Sequence, residues 1–383
     1  MNRKEINEIK GLFTLENCGI QSLYGCYVNG EKEKVASFGG FFKDLPEEEQ
    51  HKYFEIFKKT LSGTYGKNTV DMKFTVDAYG EGCGRNRLIK LRDDELKNKE
   101  DLEDFYDKII ANYYYTGNYV IFIMNQNYDV PKITGDGIKQ DDDSDELYRY
   151  ILCSICHVNM SKAGLGFDEN SKEFHNAIQC HMVDQPDIGF VFPAFTARSE
   201  DEDGLLFYTK DTSDFQDAII DSVLNCEIPM PAATQKETFT ELVSETLGED
   251  ADYETIKNIH ENLTEMIAEQ KKEKTGEVLS IDKTEAKAIM ERSGVKEENL
   301  KEFDAKFDEK VGENGRLMAS NIVPAQRFEV KTPDVIVKIK ADKTDLVETR
   351  IIDGKQCLVI QIDERLEVNG ISVNPETGEM IER

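Results

Sequence analysis

The sequence contains no tryptophan, only five histidines and nine prolines, and far fewer basic than acidic side chains. It has 47 lysines and arginines against 76 aspartates and glutamates, so the 383 residues carry a formal net charge of −29. A field of this sign repels nucleic-acid phosphates and anionic membrane surfaces, and it attracts cations and basic proteins. We therefore expect no nucleic acid and no membrane as partners, and a basic protein is the partner that the charge favours.

The chain also lacks a long apolar run. Its longest strongly apolar stretch covers residues 119–124, whereas a helix that spans a bilayer needs about 20 residues. The first residues are charged and polar, which predicts the absence of a secretory signal and a cytoplasmic location. In that compartment the eight cysteines are expected to be reduced thiols.

The first 230 residues have the pattern of a unit that mixes helices and strands. Twenty phenylalanines and fifteen tyrosines across the chain are enough for a sizeable core. Asn29-Gly30 separates two apolar runs and predicts a hairpin, because both turn positions of such a hairpin need positive φ. The predicted helices cover residues 2–12, 46–61 and 102–115, and the predicted strands cover 20–28, 35–42, 119–124, 148–158, 189–195 and 205–208. These elements predict an α+β or α/β unit, residues 1–230, around a mixed sheet.

The pattern changes after Pro229-Met230-Pro231. Residues 236–312 predict a helical segment, and residues 320–383 predict a small unit rich in β-hairpins, with Asp353-Gly354 in one turn. A helix-turn-helix in residues 282–311 is a possible interpretation of the helical segment. Its second helix would carry four lysines against six acids, which does not suit a helix that faces phosphates.

Cys153-Ser154-Ile155-Cys156-His157 matches the attachment pattern of c-type haem. However, the pattern lies in a predicted strand, where Cys153 and Cys156 point to opposite faces. The sequence therefore predicts no haem and, more broadly, no cofactor.

Zinc is the metal that these side chains would suit best. Cys153, Cys156 and His157 could be joined by His175, Cys180 or His181, since thiolate and imidazole are zinc ligands. A cysteine nucleophile with His157 or His181 as its base is a further possibility. Against both hypotheses, the first pair lies on a strand and Cys180-His181 is adjacent rather than spaced. Buried, reduced core cysteines are therefore the prediction, with these residues kept as weak metal candidates.

Three other segments can be interpreted locally. Gly80-Glu81-Gly82-Cys83-Gly84-Arg85 predicts a flexible loop rather than a dinucleotide site. Residues 141–146 hold five acids in six positions and predict a solvated loop. Arg198 follows a predicted strand and is a weak anion-binding candidate, although a salt bridge with the acids at 200–203 is the simpler expectation.

Several short motifs together resemble a known family. They are YGCYV at 24–28, KKTLSG at 58–63, GKN at 66–68, GNY at 117–119, YDVP at 128–131, YILC at 150–153, GFVFPAF at 189–195, PMPAA at 229–233 and QKETF at 235–239. The chain resembles a domain-of-unknown-function family of anaerobic Gram-positive bacteria over most of its length. This resemblance implies a cytoplasmic bacterial protein, and it implies no activity, cofactor or catalytic residue.

Two functional hypotheses follow from these observations. The first is a non-catalytic interaction or regulatory protein, because the chain is acidic and lacks a convincing catalytic constellation. The second is a hydrolase-type enzyme whose site lies among residues 153–181 and Arg198. A pocket that gathers cysteine, histidine and arginine would favour the enzyme, whereas an exposed apolar patch would favour the binding protein.

Overall fold

A computed structural model describes residues 1–133, 139–140, 146–176, 178–273, 276–313, 315–324, 326–362, 366–368 and 371–373. Contacts divide the chain into two compact units. The first contains Met1–Gln235 and Lys274–Val278, and the second contains Lys236–Glu273 and Leu279–Arg383. The three-part division into 1–230, 236–312 and 320–383 stays a prediction.

The first unit alternates helices with strands along the chain. Its helices are α1 (Arg3–Gly11), α2 (Glu47–Thr60), α3 (Gly84–Asp93) and α4 (Lys99–Asn112). Its strands are β1 (Ile20–Val28), β2 (Lys34–Phe41), β3 (Thr69–Lys73), β4 (Tyr119–Val130), β5 (Lys132–Ile133), β6 (Lys139–Gln140), β7 (Glu146–Met160), β8 (Leu165–Asp168), β9 (Glu173–Asn176), β10 (His181–Phe192), β11 (Ala194–Thr196), β12 (Ser199–Asp201) and β13 (Gly204–Thr209). The predicted mixed α and β composition is confirmed.

Seven of these strands form the central sheet, in the order β2-β1-β4-β7-β10-β13-β3. Every pairing in this sheet is antiparallel, so the prediction of a mixed sheet was wrong in that respect and α+β describes the unit. β1 and β2 form the predicted hairpin, but its loop covers residues 29–33, and Lys32 rather than Asn29 or Gly30 has positive φ. β3, which the sequence did not predict, closes the other edge by pairing with β13, far away in sequence.

The sheet is covered on both faces. Successive residues of β7 alternate between two hydrophobic clusters: Cys153 and Ile155 join one, and Leu152 and Cys156 join the other. The first cluster includes side chains of α3 and α4, and the second includes side chains of α1 and α2. Central strands buried on both faces explain why residues 148–158 are almost continuously apolar.

α2 packs closely on the centre of the sheet. The Thr60 hydroxyl lies 2.7 Å from the Ser154 hydroxyl of β7, and both groups are buried. Gly189 of β10 permits this approach, because a Cβ at that position would lie 2.6 Å from Cγ2 of Thr60. A glycine in a strand interior often marks such a close approach.

α3 corrects the end of the flexible loop predicted for residues 80–85, since residues 80–83 precede the helix and residues 84–85 belong to it. The helix begins at Gly84, whose backbone N–H donates to Oδ1 of Asn225 at 2.8 Å. A Cβ on Gly84 would lie 1.9 Å from the carbonyl oxygen of Leu224, so only glycine fits there. Farther along α3, Arg92 is buried and donates to Glu202 at 2.6 Å. Gly84 therefore serves helix packing rather than loop flexibility.

The second unit begins with helices and ends with hairpins. Its helices are α5 (Ala232–Leu247, whose first residues belong to the first unit), α6 (Tyr253–Glu273), α7 (Lys283–Arg292), α8 (Phe303–Val311) and α9 (Ala319–Ile322). Its strands are β14 (Ser280–Ile281), β15 (Leu317–Met318), β16 (Arg327–Lys331), β17 (Ile336–Lys340), β18 (Val347–Ile352), β19 (Lys355–Ile360), β20 (Leu366–Val368) and β21 (Ile371–Val373). β18 and β19 form the predicted hairpin, with Asp353 and Gly354 both at positive φ.

The predicted acidic loop at residues 141–146 cannot be compared with the structure, because positions 141–145 lie outside the described residues. Within the described residues, every helix is too short or too polar to cross a membrane.

Candidate functional site

The predicted site residues other than Arg198 lie on β7, on β10 or in the segment between these two strands. Cys153 and Cys156 lie on opposite faces of β7, as the strand period predicted, and each belongs to a different hydrophobic cluster. Burial raises the pKa of both thiols well above their ordinary value. Neither thiol is therefore suited to act as a nucleophile near neutral pH, which requires the thiolate.

His157 joins a polar cluster at one end of α4. The Tyr113 hydroxyl donates to Oδ2 of Asp187 at 2.6 Å and lies 2.9 Å from Nε2 of His157. Because a hydroxyl has one proton, and here Asp187 accepts it, Nε2 must donate to Tyr113. The three groups therefore form a chain of hydrogen bonds from imidazole through phenol to carboxylate, and Nε2 also lies 3.5 Å from Asp187.

Two further features define the electrostatics of this cluster. The ring of Tyr115 stacks on the imidazole of His157, with centroids 3.7 Å apart and an angle of 3° between the planes. Burial alone would raise the pKa of Asp187, but the hydrogen bonds and charge of His157, the bond from Tyr113 and the charge of Lys210 together lower it. The cluster can therefore orient the imidazole of His157 beside an ionised Asp187.

The remaining histidine and cysteine candidates are exposed and apart from this cluster. His175 lies on β9, where its Nε2 is 2.9 Å from the Ser171 hydroxyl. Cys180 and His181 are exposed at the start of β10. Within the described residues, no group of three or more His, Cys, Asp or Glu side chains has the arrangement of a metal site.

Arg198 has a structural partner that the sequence did not predict. Its guanidinium donates to Glu8 of α1 at 2.9 Å and to the carbonyl oxygen of Pro131 at 2.9 Å. The expected salt bridge with the acids at 200–203 was wrong, since Glu200 and Glu202 pair with Arg92 instead. A guanidinium already engaged by a carboxylate is a poor anion site.

Between Met160 and His181 lies an extension, residues 161–180, which we call the arm; its residues 161–176 and 178–180 are described, and most of them are exposed. Its strands are β8 and β9, and their register places Phe167 opposite Phe174. The backbone N–H of Ser161 donates to the carbonyl oxygen of Cys180 at 2.8 Å, which links the arm to the central hairpin. The arm thus carries a short hairpin of its own, β8–β9, which is joined to the two central strands at its base.

One face of the arm is apolar. Phe167 and Phe174 are directly opposite, and Leu165 precedes Phe167 by two, so the pleat puts all three on one face. The exposed fraction is 51% for Phe167, 68% for Phe174 and 75% for Leu165. The two phenyl rings contact each other with centroids 5.2 Å apart. We call these three residues the apolar face.

Sequence patterns did not point to Tyr113, Tyr115 or Asp187, because their meeting depends on where α4 ends above the sheet. A usable signal existed for the apolar face. Leu165, Phe167 and Phe174 are large apolar residues in a segment that is otherwise mostly polar and has too few apolar residues to form a core of its own.

Comparisons with known proteins assign no activity to the chain. No curated protein matches the chain. Residues 1–371 match a protein family described as a domain of unknown function, DUF4317, so the predicted resemblance to such a family is confirmed. The match covers nearly all of both units, and the chain belongs to this family.

Proposed function

We propose that the chain is a non-catalytic interaction protein that binds a protein partner through the apolar face of the arm. The observation that carries this proposal is the exposure of Leu165, Phe167 and Phe174 together on one ordered hairpin. Scattered apolar residues on a surface need no explanation, but a contiguous group on a projecting element is typical of an interaction surface.

The energetics of the arm support the same function. An isolated two-stranded hairpin is at best marginally stable in water. The arm gains nothing from the core, because its apolar side chains are exposed. Burying these three side chains against a partner would remove most of their apolar surface from water, and large aromatic residues dominate the energy of interfaces.

The net charge adds a preference for the kind of partner. With 29 more acidic than basic side chains, the chain attracts basic proteins over a distance set by salt, about 8 Å at 0.15 M ionic strength. A basic partner is therefore part of the proposal.

The experiment is affinity purification from the native host, followed by quantitative mass spectrometry. The wild-type chain is compared with F167S/F174S and with a control variant, V76S, which changes an exposed valine outside the arm. We expect the control to retain the captured proteins and F167S/F174S to lose one or more of them. Equal capture by all three proteins would reject the proposal.

A second candidate function, a hydrolase-type enzyme, is favoured by the cluster at His157. Within the described residues, Nδ1 of His157 makes no hydrogen bond, while Nε2 is held by Tyr113 and Asp187. An imidazole oriented in this way could act as a general base through Nδ1. The test is turnover of ester, thioester and phosphoester substrates by the wild-type chain and H157N. Turnover that falls about 100-fold in H157N would support the enzyme, and no turnover by the wild type would reject it for these substrates.

A further inference from the structure

A groove of about 450 Å³ lies on the face of the first unit that α2 covers. Its walls come from α2 and from the first residues of β10, and Phe122 of β4 lies between them. Tyr53 and Ile56 are half-buried residues of α2, and Tyr53 packs edge-to-face on Phe122 with ring centroids 5.4 Å apart. Val183 and Pro186 supply apolar surface from β10. The groove thus has an apolar floor.

The rim of the groove is acidic. It carries the carboxylates of Glu49, Glu55 and Asp184 and only one lysine, Lys52. Asp184 accepts a hydrogen bond from Asn159 at 2.7 Å. In the part of the chain that the structure describes, Glu49 and Glu55 form no ion pair, although many exposed acids elsewhere in the chain do, such as Glu103 with Lys34. The rim therefore offers two carboxylates free to pair with a ligand.

Tyr53, on the floor of the groove, is close enough to Glu49, on the rim, to be affected by its charge. Burial raises the pKa of its hydroxyl, and the nearby charge of Glu49 raises it further. The hydroxyl has no hydrogen-bond partner among the described residues, so it is available to a group that enters the groove. An apolar floor beside unpaired carboxylates is complementary to a segment that carries both apolar and cationic side chains.

We propose that this groove binds an amphipathic, basic peptide segment, with its apolar side chains on Tyr53, Ile56 and Val183 and its lysines or arginines against Glu49 and Glu55. The inference rests on the proposed function, because it names the chemistry of the protein partner. The volume accommodates a few large side chains rather than a whole domain. The arm is followed directly by β10, whose first residues line the groove, so one partner could contact both, with the groove selecting its basic segment.

The test uses a defined probe. A short fluorescein-labelled peptide of leucine and lysine, with its leucines on one helical face, is titrated with the full chain and followed by fluorescence anisotropy. The same peptide with glutamate in place of lysine is the comparison. We expect the lysine peptide to bind, with an affinity that falls as salt rises, and the glutamate peptide to show no binding.

Two pairs of variants separate the groove from the overall charge. E49Q/E55Q removes two rim charges, and E31Q/E81Q removes two exposed charges outside the groove. V183S makes the floor polar, and V76S makes the same change at an exposed valine elsewhere. We expect E49Q/E55Q to weaken binding roughly fivefold and V183S to weaken it about tenfold. Both controls should stay within about twofold of the wild type.

Each outcome decides something. Equal weakening by E49Q/E55Q and E31Q/E81Q would mean that the peptide senses net charge alone, and it would overturn the groove proposal. Unchanged binding in V183S would overturn it as well. Neither result bears on the proposal that the arm binds a partner, because that proposal is tested separately by the proteins that F167S/F174S captures from the host. Conversely, a groove that binds the peptide while F167S/F174S captures every partner would reject the arm and retain the groove.

Discussion

The chain passes through two environments between the start of β7 and the end of β10. Near the centre of the sheet, Leu152, Cys153 and Ile155 are almost completely buried between helices on both faces. Farther along the same hairpin, Leu165 and Phe167 project into solvent on an arm of similar strand geometry. The backbone hydrogen bond from Ser161 to Cys180 links the two halves, but only the first half is stabilised by packing. The difference indicates that apolar side chains in the second half serve an interaction rather than the fold.

The largest expected effect is in the buried half. Ile155→Ala removes a side chain that is 2% exposed and leaves a cavity in a close-packed layer. We expect the free energy of unfolding to fall by about 3 kcal/mol. Urea denaturation monitored by circular dichroism measures it. A loss below about 1 kcal/mol would mean that the centre of the hairpin is not the packed core described here.

An intermediate loss of unfolding free energy is expected at Asp187 of β10, whose side chain is partly buried. The pKa of Asp187 is lowered in the folded protein, so its ionised form stabilises the fold above the unfolded pKa of about 3.9. This stabilisation is lost as the pH falls through the lower, folded pKa. Asp187→Asn should therefore reduce the free energy of unfolding by about 1 kcal/mol near neutral pH.

The sign of this effect is tested by the pH series. The difference between wild type and Asp187→Asn in urea denaturation should shrink as the pH is lowered from 6 towards 3. A difference that grows on acidification would show that the carboxylate destabilises the folded protein, and it would contradict the hydrogen-bond chain through Tyr113.

The smallest effect is expected in the arm. Leu165→Ala makes a truncation of the same size as Ile155→Ala, in the same hairpin, but at a side chain that is 75% exposed. We expect a change in the free energy of unfolding below about 0.5 kcal/mol. The same urea denaturation measures it. A loss comparable to that of Ile155→Ala would show that the arm packs against the body of the protein and would remove the basis of the comparison.

The sequence predicted local features well. The pairing of the two apolar runs on either side of Asn29-Gly30, the first helix over residues 2–12 and the opposite orientation of Cys153 and Cys156 all follow from neighbouring residues, and all are confirmed. The start of α3 was missed because its glycine is required by contact with Leu224, a residue distant in sequence. Glycine ordinarily weakens helix prediction, and tertiary packing overrode that preference here.

Long-range pairing explains the other errors. The antiparallel sheet depends on β3 pairing with β13, and the salt bridge of Arg198 depends on α1 lying beside β11. No local pattern specifies either partner. The same holds for the cluster of Tyr113, His157 and Asp187, whose members come from three separate elements. Candidate residues could be chosen by type from the sequence, but which of them meet is decided by the order of strands.

The most direct test of the arm as an interaction surface is photo-crosslinking in living host cells. A photoreactive phenylalanine analogue is placed at Phe167, or at Tyr114, an exposed aromatic residue outside the arm. The account predicts discrete protein adducts from position 167 that are absent from position 114. Identical adducts from both positions, or none from position 167, would contradict it.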